Sequence, residues 1–219
     1  MQIENEIWLW GPQFPAHLDS ILSELSGPKR AIQHIAVDGG VLIKPRLAKS
    51  YQDQLIAIGD GDSGPIELLN HVHPAEKDHS DLALALQYIQ LQYPMPVHIR
   101  AIGFCGGRLD HHMISQGCFS RFLKAKPQSQ IRLDQQWLML SQGRWMGQIS
   151  ASLVSLLTFS QTNLTLQGDW RWKLDNEEVQ ALDDRLLSNC VGAQMLELSS
   201  SQPLCLYSDA TICDWWKHV

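Results

Sequence analysis

The chain has 219 residues, 44% hydrophobic and 18% charged, with a formal net charge of −6. That length suits one large domain or two small ones, and the composition is ordinary for a globular protein. The acidic balance, without any Lys/Arg cluster, argues against nucleic acid as a partner; a metal-bridged anion stays compatible, because a bound cation reverses the local electrostatics.

The first two thirds alternate strand and helix signals. Ile7–Trp10 reads as a strand and Gly11-Pro12 as a turn. Leu18, Ile21, Leu22 and Leu25 follow at helical spacing, with Gly27-Pro28 as the stop. His34–Val37 and Leu55–Ile58 are short apolar strands, each followed by a loop of glycine and acid: Asp38-Gly39-Gly40, then Gly59-Asp60-Gly61-Asp62-Ser63. Pro65–Leu69 has room for a short helix, and His71 and His73 alternate across a possible strand. Ser80–Tyr93 is the clearest helix, with Leu82, Leu86, Ile89 and Tyr93 on one face and Pro94 ending it. Val97–Phe104 predicts another strand before Gly106-Gly107-Arg108-Leu109-Asp110-His111, and the residues after Asp110 read as a helix. Such alternation predicts a mostly parallel sheet with packed helices, and ligands bind beyond the carboxyl ends of strands in such sheets.

The pattern changes near Lys126-Pro127. Trp137–Leu140, Leu153–Phe159 and Leu164–Leu166 are short apolar runs punctuated by Gly143, Gly147 and Gly168, a spacing that fits hairpins. Asn176–Leu187 has room for a short helical stretch, and Gln194–Leu198 and Pro203–Tyr207 again read as strands. The expected organisation is an α/β domain over 1–128 and an all-β sandwich over 129–219.

The five cysteines, Cys105, Cys118, Cys190, Cys205 and Cys213, are scattered and never in C-x-x-C spacing. This argues against a disulfide framework or zinc site and for reduced thiols in a cytoplasm. Gln2–Glu6 supply no basic n-region, so Ile7–Trp10 is not expected to be a signal peptide. No apolar run approaches the ~20 residues of a membrane span.

Gly59–Gly64 matches G-x-G-x-x-G after a strand, yet its variable positions are two carboxylates and a serine, which would face a pyrophosphate with bare negative charge. Carboxylates at i and i+2 of an extended loop suit Mg²⁺ better, since that ion takes one or two carboxylates with water and phosphate. An EF-hand is excluded, because Gly64 and His71 occupy ligand positions. In Asp78-His79-Ser80-Asp81, Asp78 or Ser80 is a natural N-cap, and Asp81 complements the helix dipole while remaining able to face a metal. Gly106-Gly107-Arg108 offers backbone N–H groups at a helix start, a geometry that binds anions, and a guanidinium binds phosphate bidentately. His111 and His112 diverge by about 100° on a helix and do not share a metal. Walker A and kinase H-R-D signatures are absent.

As an ordered set, Asp38-Gly39-Gly40, Gly59-Asp60-x-Asp62-Ser63, Asp78-His79-Ser80-Asp81 and Gly106-Gly107-Arg108-Leu109-Asp110-His111 resemble thiamin pyrophosphokinases. Trp170-Arg171-Trp172-Lys173-Leu174 and Ser188-Asn189 are similar to that family's C-terminal segments. The resemblance implies an N-terminal α/β nucleotide-binding domain, a C-terminal β-sandwich and a homodimer. It also implies Mg-dependent transfer of a diphosphoryl group from ATP to the thiamine hydroxyl, giving thiamine diphosphate and AMP. Carried over by position, Asp60, Asp62 and Asp81 would hold Mg²⁺ and, with Arg108, carry catalysis. Asp38, Gly39, Gly40, Gly59, Ser63, Asp78, Ser80, Gly106, Gly107, Arg108, Asp110 and His111 would line the ATP side. Trp170, Trp172, Ser188 and Asn189 would meet thiamine. This chain departs from the family in carrying Gly61 between the paired acids, Ser80 in place of Thr, and Leu84 in place of a frequent Lys. Two further readings stay open: the same chemistry on another hydroxymethyl heterocycle such as a pterin, and a nucleotide-binding regulator without transfer activity.

Overall fold

The computed structural model describes residues 6–26, 32–150, 153–212 and 214–219. Two compact units divide the chain, Met1–Cys118 and Phe119–Val219.

The first unit is built on parallel strands: β1 (Glu6–Trp10), β2 (Ile32–Val37), β3 (Ile56–Gly59), β4 (His71–Val72) and β5 (His98–Ile102). They stand in the order β4-β3-β2-β1-β5, and each neighbouring pair is parallel. β1 and β5 are buried along their whole length, the polar Glu6, His98 and Arg100 included. The chain steps outward from β1 to β4 and then returns to lay β5 on the other side of β1. The strand order therefore reverses between β1 and β5, where open parallel sheets form a crevice at their carboxyl edge.

The helices of this unit are α1 (Leu18–Ser23), α2 (Lys49–Gln52) and α3 (Asp81–Gln92); α4 (Leu109–Ala125) belongs in part to each unit. In α3, Leu82, Ala85, Leu86 and Ile89 are buried, and the helix packs on β2 and β3. Its N-cap is Ser80, whose Oγ accepts from the Ala83 N–H at 3.3 Å, so of the two capping candidates the serine serves. α1 ends earlier than its apolar spacing implied and continues as a 3₁₀ turn, Glu24–Ser26; the expected stop at Gly27-Pro28 lies outside the described residues. Ile66–Leu68 is a single 3₁₀ turn.

Trp8, Trp10, Ile21, Val41, Ile43 and Leu55 belong to one buried cluster of this unit. Beside it, the Trp10 indole N–H donates to His34 Nδ1 at 3.0 Å, and the two rings stack with centroids 6.0 Å apart. The Tyr51 ring lies 4.6 Å from that of His34. The Arg100 guanidinium sits 4.6 Å over the Trp8 ring and is held by two bonds to Glu24.

Among the described residues of the second unit the strand pairings are antiparallel. Its strands are β6 (Gln130–Leu133), β7 (Trp137–Leu140), β8 (Gly143–Gly147), β9 (Leu153–Thr158), β10 (Thr162–Trp170), β11 (Leu174–Val179), β12 (Asn189–Ser200), β13 (Leu204–Ser208) and β14 (Lys217–His218). One run of pairings is β6-β7-β13-β9-β12, after which β12 also pairs with β10 and β8. Alternate residues of β9 (Val154, Leu156, Thr158) and of β10 (Leu164, Leu166) face inward, the period-two signature of strands with one buried face. Leu138, Trp145, Leu196, Leu206 and Trp216 join them in one core.

The short helical stretch expected within Asn176–Leu187 is confined to one 3₁₀ turn, Asp184–Leu186. Leu174–Val179 pairs with β10. With no apolar face of period 3.6, cross-strand hydrogen bonds decide the conformation. Asp183 closes the turn locally by accepting from the N–H groups of Arg185 and Gln180. Cys105, Cys118, Cys190 and Cys205 are free thiols, and Cys213 lies outside the described residues. Among the described residues no helix is long and apolar enough to cross a membrane.

Candidate functional site

Because the strands of the first unit are parallel, the loops after β1, β2, β3 and β5 emerge at one edge. The loop after β2 reads from the sequence as a loop of glycine and acid on the nucleotide side. It forms a 3₁₀ segment, Asp38–Arg46, with Asp38 at φ 46° and Asp38 to Val41 buried. Gly40 is required there: a Cβ on it would lie 2.1 Å from the Trp10 carbonyl oxygen, a backbone atom of the central strand. Close approaches run along the edge. A Cβ on Gly39 would stand 3.3 Å from Pro12 and 3.0 Å from the Ser63 carbonyl oxygen, one on Gly59 2.9 Å from Asp38 Cα, and one on Gly107 3.3 Å from the Gln13 side chain. The Gly11–Gln13 loop thus lies between the Asp38-Gly39-Gly40 loop and the Gly106-Gly107 loop, and the Asp60–Ser63 loop lies on the far side of Asp38.

Three carboxylates meet here. One oxygen from each of Asp38, Asp60 and Asp62 lies within 4.8 Å of the others. Asp60 Oδ1 accepts from the Asp62 N–H at 3.1 Å, and Ser63 Oγ donates to Asp62 Oδ1 at 2.7 Å. Asp38 is 9% exposed, and its Oδ1 is buried with no hydrogen-bond partner among the described residues. A buried carboxylate oxygen left unpaired is costly, and a cation satisfies it. An all-oxygen donor set suits a hard ion, and Mg²⁺ at ~2.1 Å from each oxygen sets ligands roughly 3 to 4 Å apart.

Asp81 stands differently. Lys77 Nζ donates to Asp60 Oδ2 and forms an ion pair with Asp81 Oδ1 at 3.2 Å, so a lysine bridges the two acids. The Lys77 hydrogen bond holds the Asp60 carboxyl below the usual range against the effect of burial. Burial pushes the Asp81 carboxyl up; Lys77 opposes this, while the nearby Asp60 and Asp38 charges add to it. Burial also disfavours the Lys77 ammonium, but its bonds to Asp60 and Asp81 outweigh that and hold its pKa above the ordinary lysine value. The sequence grouped Asp60 and Asp62 with Asp81; the structure sets Asp38 beside the pair and Lys77 between Asp60 and Asp81. Lys77 and Gln13 were not singled out from the sequence. For Lys77 the available signal was a lone cation four residues before Asp81 in an otherwise acidic loop.

At the start of α4, Gly106 and Gly107 have φ of 84° and 64°. Arg108 donates to both oxygens of Asp110, Nε to Oδ1 at 3.2 Å and Nη2 to Oδ2 at 2.6 Å, and the Asp110 Oδ1 also accepts from the His111 N–H. This pair is exposed, so its charges face solvent rather than the core.

In the second unit, Trp172, Ser188 and Asn189 form a group of their own. Asn189 is buried; its Oδ1 accepts from the Trp172 N–H at 3.1 Å and its Nδ2 donates to the Trp172 carbonyl at 2.8 Å. Ser188 has φ 57°, and its N–H donates to Ser155 Oγ. The Trp172 side chain is 52% exposed, with the Arg171 guanidinium 5.2 Å from its ring centroid. Trp170 instead lies in the core at 2% exposure, its indole N–H donating to the Glu197 carbonyl.

Compared with solved structures, the chain is similar to thiamine pyrophosphokinase from Bacillus subtilis, with 24% identity, a TM-score of 0.69, and coverage of 93% of this chain and 99% of that one. This is the thiamin pyrophosphokinase fold. The enzyme from Geobacillus thermodenitrificans matches at 21% identity and TM-score 0.67 over 95% and 100% of the two chains, and that from Candida albicans at 14% and 0.71 over 94% and 90%. No family model and no curated protein sequence matches the chain. The likeness to thiamin pyrophosphokinases is therefore carried by three-dimensional architecture, as the ordered glycine and acid loops implied.

Proposed function

We propose that the protein is a thiamine diphosphokinase, transferring the diphosphoryl group of ATP to the hydroxyl oxygen of thiamine. The observation that carries the reading is the Asp38–Asp60–Asp62 cluster, with its buried unpaired oxygen, at the carboxyl edge of a sheet with this fold. Asp38, Asp60 and Asp62 would hold Mg²⁺, which when bound neutralises phosphate oxygens. The Gly106-Gly107 backbone and Arg108, on leaving Asp110, would receive the triphosphate; Ser63, Asp78, Ser80, Asp110 and His111 complete the nucleotide side. The thiamine oxygen forms a bond to the β-phosphorus, the bridging bond to the α-phosphate breaks, and AMP leaves. The residues contribute positioning and charge neutralisation rather than a covalent intermediate. Asp81, whose carboxyl is pushed toward higher pKa, would accept the hydroxyl proton.

Trp172, Ser188 and Asn189 would meet thiamine across a homodimer, with residues 129–219 forming a β-sandwich. The core position of Trp170 supports a packing role for that tryptophan and leaves Trp172 as the aromatic contact. Incubation of the purified protein with ATP, Mg²⁺ and thiamine should yield AMP and thiamine diphosphate in equal amounts. Asp38→Asn and Asp60→Asn should each lower turnover by about 10²-fold or more while leaving the circular dichroism spectrum unchanged. AMP release that requires a pterin alcohol instead of thiamine would reassign the acceptor, and nucleotide binding without AMP formation would remove the enzymatic reading.

A further inference from the structure

Four carboxylates, Asp38, Asp60, Asp62 and Asp81, gather at the sheet edge, and the fold sends Lys77 in among them. Lys77 comes from the segment between β4 and α3 and is mostly buried, so its ammonium has given up solvent for these partners. It takes Asp60 Oδ2, while the Asp62 N–H takes Asp60 Oδ1. Both oxygens of the central acid are therefore engaged, one of them by a cation belonging to the chain itself. Any divalent ion bound by Asp38, Asp60 and Asp62 draws on the same carboxylate and is repelled by the same ammonium.

We infer that Lys77 is a built-in counter-ion: a positioning residue that holds Asp60 and Asp81 together before a divalent cation arrives and limits how tightly the site takes that cation without nucleotide. This rests on the reading of Asp38, Asp60 and Asp62 as the cation site. The neutral variant Lys77→Met removes the competitor and leaves the four acids mutually repelling. The cation-free protein then melts at lower temperature, while the cation binds more tightly. Lys77→Arg keeps the charge and restores both properties.

The test titrates Mn²⁺ alone into nucleotide-free protein, reading free Mn²⁺ by electron paramagnetic resonance and stability by thermal melting. K77M is expected to bind Mn²⁺ about tenfold more tightly than wild type and to gain more in melting temperature on Mn²⁺ addition, with K77R resembling wild type. Equal or weaker binding by K77M overturns the inference. In the wild-type protein, a Mg²⁺ titration followed by NMR should shift the Lys77 Cε resonance as the ammonium leaves Asp60. An unmoved resonance at saturating Mg²⁺ overturns the inference without relying on any variant. If D60N binds Mn²⁺ as well as wild type does, the cation site itself is misassigned, an outcome separate from failure at Lys77.

Discussion

Acid should loosen the first unit through His34. The ring is fully buried, its Nδ1 accepts the Trp10 indole N–H, and its Nε2 has no hydrogen-bond partner among the described residues. Protonation would break the Trp10 bond and leave a charge among Trp10, Trp8 and Tyr51. Burial accordingly lowers its pKa from 6.5 to about 4. The unfolded chain binds this proton more readily than the folded one, so stability falls as the pH drops. The contribution of the neutral ring is complete above pH 6.5 and is lost progressively toward pH 4. Linkage across that window gives about 2 kcal/mol lost by pH 5 and about 3 kcal/mol by pH 4. Urea unfolding at pH 7 and pH 5, for wild type and His34→Gln, isolates this residue from other acid effects, because glutamine can accept the indole bond but does not titrate. The wild type should lose about 2 kcal/mol more than the variant between the two pH values. Parallel slopes for the two proteins, or an NMR titration of His34 with a midpoint near 6.5, would refute the reasoning.

Gly40→Ala should destabilise the protein by about 3 kcal/mol in chemical denaturation, because its methyl meets the backbone of β1 rather than a side chain able to rotate away. Trp170→Ala should cost about 3 to 5 kcal/mol, whereas Trp172→Ala should cost under about 1 kcal/mol and raise the KM for thiamine. Asn189→Ala, which releases both backbone bonds to Trp172, should cost about 1 to 3 kcal/mol and raise the same KM, measured by unfolding and by initial rates.

The parallel sheet was legible because short strand runs alternate with helix signals and three of them, β2, β3 and β5, lead into loops of glycine and acid, and α3 because Leu82, Leu86 and Ile89 repeat at helical spacing before Pro94. The conformation of Asp38–Arg46 was not legible, since nothing in Val41–Arg46 has the period of a helix; the segment is wound by the tight fit of Gly40 against Trp10. The Asn176–Leu187 stretch was legible only in part for a related reason: the conformation of its first residues, through Val179, is decided by cross-strand partners on β10, distant in sequence. Within the site, Asp60 and Asp62 announced themselves by i, i+2 spacing, but their third neighbour could not. Asp38 joins them only because β2 and β3 lie side by side in register, Val37 opposite Ile58. Asp81 followed them in sequence, yet its approach to Asp60 runs through a lysine whose position depends on the β4–α3 connection.

The segment bearing Asp60 and Asp62 is fastened at its far end by very little. β4 is two residues long, both solvent-facing, on the outermost position of its sheet. It is secured by its pairing with Ile58 and Gly59, by Asn70 bonding both sides of Ala57 and by the His73 N–H on the Gly59 carbonyl. A two-residue, solvent-facing edge strand opens at lower free energy than the buried strands beside it. Release of this edge leaves β1, β2 and β5 folded, and the loop between it and β3 is then held by Leu68 and Leu69 against the core and by Lys77 on Asp60. Amide protons of Val72 and His73 should therefore exchange with deuterium orders of magnitude sooner than those of Leu9 or Ile35.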